Sequence, residues 1–224
     1  MRDATPSNLT DCGLPGIRNI PFGVHMCHFY RGRDELAAVL VPYFAAGLRN
    51  HERCIWIAAE PLPAAAAKLS LERAGIDVDA ALADGSLVLR DFSDWYGEST
   101  SLRGIAVVDL WLAEEARALA DGYAGLRISG NVTFLTPETW PVFMEYEDML
   151  TRTFSGRRIV TLCTYPSDGC GAANVLDVVH RHSCTLEHPD AGWQILTRIP
   201  AWQKESSIGP AGQGRTATCF AAPG

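Results

Sequence analysis

The sequence is short of the features that mark several large classes of protein. It holds no apolar run near the roughly 18 residues that a membrane-spanning helix needs, and its opening stretch has no apolar segment typical of secretion signals. It also holds no cluster of basic residues, and its 26 acidic side chains outnumber 19 basic ones. We therefore expect a soluble, cytoplasmic chain that neither enters a membrane nor binds nucleic acid directly.

Cysteine occurs seven times, but never in a CxxC pair. Zinc ribbons space their cysteines in such pairs, and disulfide scaffolds contain them far more densely. Cys27, Cys54 and Cys163 instead lie in apolar, strand-like stretches. This pattern predicts reduced thiols in a chain whose 47% hydrophobic residues are enough to bury a full core.

A phosphate-binding loop is missing as well. A nucleotide-hydrolysing α/β protein carries GxxxxGK[ST] after a core strand, because backbone N–H groups and a lysine must surround the phosphates. The turn after "CIWIA" reads "AEPLPAAAAKLS", which has no glycine, and Glu60 would repel phosphate. There is also no Ser-His-Asp spacing or nucleophile elbow. The sequence predicts a protein that does not bind ATP and is not an enzyme.

The chain does contain a regular alternation of strand and helix patterns between residues 22 and 202. Apolar stretches such as "VHMCHFY", "RCIWIAAE" and "RRIVTLCTY" are each followed by a helical stretch. Such alternation predicts one three-layer α/β domain, in which a mostly parallel sheet has helices on both faces.

Smaller features refine this picture. Residues 1–21 are polar with several prolines and glycines, which predicts an irregular arm, and the small, Gly/Ala-rich residues 203–224 predict a flexible tail. Pro42 predicts a kink or a break in the first helix. "CTLEH" and "GWQILTR" predict a final hairpin.

Ligands of open parallel sheets bind outside the carboxyl ends of the strands. That rule singles out side chains that follow predicted strands, to which we add two from the first strand. The candidate ligand-binding residues are His25, Cys27, Glu60, Trp95, Asn131, Cys163 and Tyr165. Aromatic walls suit an apolar ligand, but ordinary core packing is the alternative for each aromatic residue taken alone.

Histidine and cysteine side chains form a second candidate set, suited to zinc, copper or haem iron. His25 and Cys27 point to one face of the first strand. The stretch "HRHSCTLEH" adds His180, His182, Cys184 and His188. If His180 and His182 end a helix, their directions diverge by about 200° and the set falls apart. The alternatives are a buried, hydrogen-bonded His25, a Cys27 that only packs, and histidines that interact with a helix C-terminus.

Two other features have competing interpretations. Cys163 is either a sensor thiol or a structural cysteine, and the lack of neighbouring Lys, Arg or His favours the structural role.

In "EYED", Glu145 and Asp148 share a helix face that Glu147 does not. We interpret this segment as a solvated face, with one carboxylate paired to Arg127 or Arg152.

The order of several short motifs resembles a known family of regulators. "HMCHFYRGRDELAAVLVPYFAAGLRNHERCIWIA", "GYAGLRISGNVTF", "FMEYEDML", "IVTLCTYP" and "EHPD" are similar to the MEDS domain, the sensory domain of methanogen and methylotroph regulators. The likeness spans roughly residues 22–198, nearly all of the segment with strand–helix alternation. It implies a RecA/KaiC-like fold without the phosphate loop. It also implies functional roles among His25, Cys27, Glu147, Cys163, Tyr165 and His188.

The resemblance further implies a non-catalytic sensor of a small ligand, such as a hydrocarbon derivative. Such domains usually accompany a kinase, an anti-sigma factor or a DNA-binding module. No such module is recognisable in this sequence, so we expect a partner protein to supply the output. A metal- or haem-binding or redox-sensing protein is the alternative, and a pure interaction module is a second one. Association between copies of the chain is left open.

Overall fold

The computed structural model describes residues 7–92, 94, 104–132, 135–188 and 192–197. Trp95 and the predicted tail, residues 203–224, lie outside the described residues. The six described cysteines are all free thiols. None of the described helices is both long and apolar enough to span a lipid bilayer.

A seven-stranded sheet forms the centre of the domain, and its strands stand in the order β5-β4-β6-β7-β3-β8-β9. All its neighbours pair in parallel except β8 and β9, which form the predicted antiparallel hairpin. The strands are β3 (His25–Tyr30), β4 (Arg53–Ala58), β5 (Leu87–Asp91), β6 (Leu126–Asn131), β7 (Ile159–Pro166), β8 (Cys184–Glu187) and β9 (Gln194–Thr197). Two short strands in the arm, β1 (Leu9–Asp11) and β2 (Asn19–Pro21), pair with each other.

Six helices are described between the strands. They are α1 (Gly32–Arg49), α2 (Ala64–Arg73), α3 (Val78–Ala83), α4 (Gly104–Ala120), α5 (Trp140–Phe154) and α6 (Ala172–Arg181). The first of them passes through Pro42 without interruption, so the break that we considered there does not occur.

Alternation along the strands divides the core between the two faces of the sheet. Trp56 and Leu162 pack with α1, α2 and α3, whereas Ile57 and Cys163 pack with α4 and α5. Neighbouring residues of a strand point to opposite faces, and both faces are covered, which explains the continuous apolar runs. The predicted three-layer α/β architecture, with a mostly parallel sheet, is confirmed.

The register of the central strands determines which side chains can meet. Cys163 on β7 lies directly beside Cys27 on β3 and beside Gly130 on β6. Residues in register on parallel strands point to the same face. Gly130 therefore leaves a space on the α5 face next to Cys163, because no atom lies within 4 Å of the position that its Cβ would occupy.

Candidate functional site

Four buried side chains from four parts of the fold converge on the α5 face of the sheet. His25 begins β3, Cys163 lies in β7, Glu147 is in the middle of α5, and His182 directly follows α6. Their metal-ligating atoms all lie within 4.8 Å of one another. We call these residues the HECH cluster: His25, Glu147, Cys163 and His182.

The distances within the HECH cluster are short. His25 Nε2 lies 3.1 Å from Glu147 Oε2 and 3.2 Å from Cys163 Sγ. Glu147 Oε2 also lies 3.3 Å from His182 Nε2 and 3.7 Å from Cys163 Sγ. The two imidazole rings are tilted against each other, with centroids 4.1 Å apart. All four polar ends therefore face one small volume.

Hydrogen bonds behind the cluster fix the orientation of both histidines. His182 Nδ1 lies 2.7 Å from the carbonyl oxygen of Val178, which can only accept, so Nδ1 carries the hydrogen. His25 Nδ1 lies 2.7 Å from the Thr151 hydroxyl. That hydroxyl donates its own hydrogen to the Arg181 carbonyl, so it accepts from His25. Nε2 of each ring therefore faces Glu147, and it presents a lone pair whenever that imidazole is neutral.

Burial and charge set the protonation of the cluster. Burial and the neighbouring His182 lower the pKa of His25 from 6.5 to about 4. Burial raises the pKa of the Cys163 thiol well above its usual value, and the Glu147 charge adds to this. Burial would also raise the pKa of Glu147, but the Nε2–H groups and charges that His182 and His25 have when protonated outweigh burial and lower that pKa. At neutral pH the site has an ionised Glu147, a neutral His25 and a protonated thiol.

Glu147 is fully buried, so our interpretation of "EYED" as a solvated face is wrong for this residue. It belongs to a stripe of α5 in which Phe143, Leu150 and Phe154 are also buried. These positions are spaced by three and four residues, which is the spacing of one helix face. An acidic residue inside such a stripe is the signal that would have pointed to it. Asp148 does pair with Arg152, at 2.9 Å, whereas Arg127 pairs with Glu52 instead.

A small cavity of about 50 Å³ adjoins the HECH cluster. Its walls are mainly apolar and come from the end of β6 and from α4 and α5. They include Ile57, Trp111, Gly130, Phe143, Glu147 and Cys163. Glu147 and Cys163 thus belong both to the cluster and to the cavity wall, which joins the two features into one site.

Comparison with known proteins agrees with this architecture. Residues 24–183 match the family described as "MEthanogen/methylotroph, DcmR Sensory domain", abbreviated MEDS. The chain belongs to the MEDS family. A KaiC-like protein, PH0186 from Pyrococcus horikoshii OT3, is structurally similar with a TM-score of 0.55 and 12% identity, over 86% of this chain and 90% of that one. No curated protein sequence matches the chain. The predicted family and the RecA/KaiC-like fold are confirmed.

The MEDS domain places the predicted ligand-binding residues in different surroundings. Cys163 and Asn131 line the cavity, and the Asn131 side chain hydrogen-bonds Tyr30 and the main chain of Glu60. The side chain of Glu60 itself is exposed. Tyr165 is buried and packs edge-on against His182, with ring centroids 5.8 Å apart.

Only two residues of the predicted metal set, His25 and His182, lie in the HECH cluster. Cys27 lies two positions from His25, but its thiol contacts Thr185 and the Cys184 carbonyl. His180 and His188 are exposed. The ring of His188 lies 4.8 Å from that of Trp193, in the wall of a separate 440 Å³ cavity beyond β3 and β8. His180 is exposed in the last turn of α6, whereas His182 follows the helix with an extended backbone and is buried, so the two do not share a site.

Proposed function

We propose that this MEDS domain is a non-catalytic sensor that takes a small, mostly apolar molecule into the cavity beside Glu147. Family membership indicates a sensory role. The observation that carries the proposal is the cavity left by Gly130, whose lining is mainly apolar, with polar groups at Tyr146, Glu147, Thr161, Cys163 and the end of β6. A glycine inside a strand commonly marks a place where another molecule approaches the backbone.

The size of the cavity limits the ligand to a few non-hydrogen atoms. The cavity volume of about 50 Å³ exceeds the roughly 10–15 Å³ that a single water molecule requires. It is far smaller than the volume of a pocket for a drug-sized ligand. A hydrocarbon derivative with one to four carbons fits this volume. Its polar group would face Glu147, which accepts no hydrogen bond at Oε1 from any described residue.

The chemistry of Cys163 supports binding rather than catalysis. A nucleophilic cysteine needs a lowered pKa, because the thiolate is the reactive form. Burial and the Glu147 charge raise the pKa of Cys163 instead. Its thiol can therefore contact a ligand at neutral pH without attacking it.

Transmission to a partner is part of the same proposal. A ligand shifts a conformational equilibrium only if it binds two states with different affinity. Glu147 connects the cavity wall to His25 on β3 and to His182 at the end of α6. A ligand that moves the Glu147 side chain would shift the positions of α5 and α6 relative to the sheet. The partner would be a kinase, an anti-sigma factor or a transcription regulator that contacts these helices.

The test fills the cavity with a single methyl group. Gly130→Ala adds a Cβ where no atom lies within 4 Å, so the variant should fold normally but lose the space. Gly169→Ala is the matched control, because its Cβ would meet only Pro166 at an ordinary 3.7 Å. Saturation-transfer NMR with dichloromethane and alcohols of one to four carbons measures binding to the wild type and to both variants.

We expect signals for at least one of these probes with the wild type and with Gly169→Ala, and an at least tenfold weaker affinity with Gly130→Ala. Equal binding by all three proteins would place the ligand elsewhere. A wild type that binds none of the probes would reject the cavity as a receptor for molecules of this class.

A further inference from the structure

We propose that the HECH cluster is a binding site for one divalent transition-metal ion, with zinc as the best-suited ion. His25, Glu147, Cys163 and His182 would each supply one ligand atom. The metal site shares Glu147 and Cys163 with the cavity of the proposed function, but metal binding and organic ligand binding are measured separately, so either proposal can fail alone.

The geometry of the cluster agrees with that of a tetrahedral ion. Zinc lies about 2.0–2.3 Å from nitrogen, oxygen and sulfur ligands, so neighbouring ligand atoms of a tetrahedral site are roughly 3.3–3.7 Å apart. Four of the six separations run from 3.1 Å, between His25 and Glu147, to 3.7 Å, between Cys163 and Glu147, and the other two are at most 4.8 Å. Small side-chain adjustments would complete the site.

The hydrogens around the cluster leave electron pairs without partners. His25 and His182 each carry a hydrogen on Nδ1, so in the neutral form of either ring Nε2 presents a lone pair. Glu147 Oε1 accepts no hydrogen bond from any described residue, and His182 Nε2 makes none of good geometry despite its 3.3 Å distance from Glu147. The Cys163 S–H and the Tyr165 hydroxyl, which also interacts with Glu147, are the hydrogens evident beside these three electron-pair donors. Buried acceptors without donors are costly, and a cation would satisfy all of them at once.

The surroundings of the cluster resemble the outer shell of metal sites. A histidine that binds a metal usually donates its other N–H to a carbonyl, carboxylate or other acceptor, which orients the ring. Here Val178 accepts from His182, and Thr151, held by the Arg181 carbonyl, accepts from His25. Both rings are thus oriented before an ion arrives.

The ligand types select the class of metal. Two imidazoles, one thiolate and one carboxylate suit zinc and similar first-row ions, whereas calcium and magnesium prefer oxygen ligands. The site has four protein ligands, which is typical of structural zinc sites. Binding would displace the Cys163 proton, because the thiolate is the ligand form. Acid should therefore weaken the complex.

Cobalt(II) provides the direct measurement, because its absorption reports both geometry and sulfur ligation. The protein, purified without a histidine tag and stripped with a chelator, is titrated with Co²⁺ and then with Zn²⁺. We expect one Co²⁺ per chain, visible bands of tetrahedral intensity, a near-ultraviolet thiolate band, and displacement by Zn²⁺. Elemental analysis of unstripped protein gives the ion that is bound during expression.

A matched pair of cysteine variants tests the assignment. Cys163→Ser should abolish the thiolate band and weaken Co²⁺ binding by more than about 100-fold, since even partners that only orient a ligand contribute about 10- to 100-fold. Cys27→Ser is the control, because Cys27 is also buried on the same face but contacts Thr185. It should leave the spectrum and the affinity unchanged. Glu147→Gln, which keeps the side-chain shape, should weaken binding by a similar factor.

Several outcomes would overturn the proposal. A wild type that takes up no stoichiometric Co²⁺ would identify the cluster as a hydrogen-bonded buried ion pair. Cobalt bands that persist in Cys163→Ser and Glu147→Gln, or disappear in Cys27→Ser, would place the ion elsewhere. If Cys163→Ser does not fold, Glu147→Gln and the wild-type spectrum still give the answer.

Discussion

Two fully buried ionic groups occupy opposite faces of the same sheet, and they differ in how completely they are hydrogen-bonded. On the α1 face, Arg127 pairs with Glu52 at 2.6 Å and also donates to the carbonyls of Tyr43 and Asp11. Its guanidinium stacks 4.6 Å over the Tyr43 ring. On the α5 face, the HECH cluster leaves a carboxylate oxygen and an imidazole nitrogen without hydrogen bonds.

The comparison separates structure from function within one core. A charged group loses its hydration when it is buried. The folded state tolerates this loss only where hydrogen-bonding partners replace the water. Arg127 has such partners, and Gly47 allows it to approach because a Cβ there would lie 2.6 Å from Arg127 Cδ. The HECH cluster lacks them, so we assign its missing partner to a bound ion. In this pair, the group with its hydrogen bonds satisfied stabilises the fold, and the cluster with unsatisfied atoms is the one that we propose as a site.

The largest expected effect is on stability, and it should distinguish the two groups. Arg127→Met leaves Glu52 buried without its partner, and it should lower the free energy of unfolding by about 3–5 kcal/mol. Glu147→Gln in metal-free protein should cost less, about 1–3 kcal/mol, because the charge that the histidines stabilise is lost but the new amide can still donate to Nε2 of a neutral histidine. Urea unfolding at pH 7 with a chelator measures both. Similar losses in the two variants would contradict the contrast that we draw.

A smaller effect should appear when the pH is lowered. The pKa of His25 is about 4 in the fold against 6.5 when unfolded, so the unfolded chain binds more protons between these values. Stability is therefore fully present above pH 6.5 and is lost as the pH falls towards 4. Metal-free protein should be about 2 kcal/mol less stable at pH 5 than at pH 7 on account of His25.

The control for this prediction is His25→Gln, which cannot titrate. Urea unfolding at the two pH values should show a clearly smaller difference for this variant. An unchanged difference would show that His25 is not the group responsible.

The smallest effect sharpens the assignment of the outer shell. Thr151→Val keeps the shape of the side chain but removes the acceptor for His25 Nδ1. We expect Co²⁺ binding about tenfold weaker with an unchanged absorption spectrum, because the ligands remain and only their orientation is lost. Competition with a chromophoric chelator measures the affinity. Wild-type affinity in this variant would mean that packing alone holds the His25 ring.

Much of the fold could be predicted from local patterns. Three stretches have apolar residues on both faces of the predicted strand, namely "VHMCHFY", "RCIWIAAE" and "IVTLCTY". The structure forms strands there, which are β3, β4 and β7. Local patterns do not give the order of strands in the sheet, which depends on contacts between distant parts of the chain. The passage of α1 through Pro42 was not predictable either, since it depends on packing around that helix.

The site was predictable only in part, for physical reasons. Chemistry alone marked His25, Cys163 and His182 as candidates. The choice between His180 and His182 depends on α6 ending at Arg181, and helix ends are the least certain part of a sequence pattern. The family resemblance pointed to Glu147, but the interpretation of "EYED" misjudged it because its charge was weighed without the apolar stripe around it. The convergence of the four side chains needed the register of β3 and β7.

The order in which the chain is made gives the HECH cluster another property. His25 and Cys163 are 138 residues apart in sequence, and His182 follows later still. Domains generally fold as units during or after synthesis, so the cluster appears only when β3 has met β7 and the end of α6. A chain stopped or cut before residue 182 lacks one of the four side chains. The cluster therefore distinguishes a finished domain from an incomplete one.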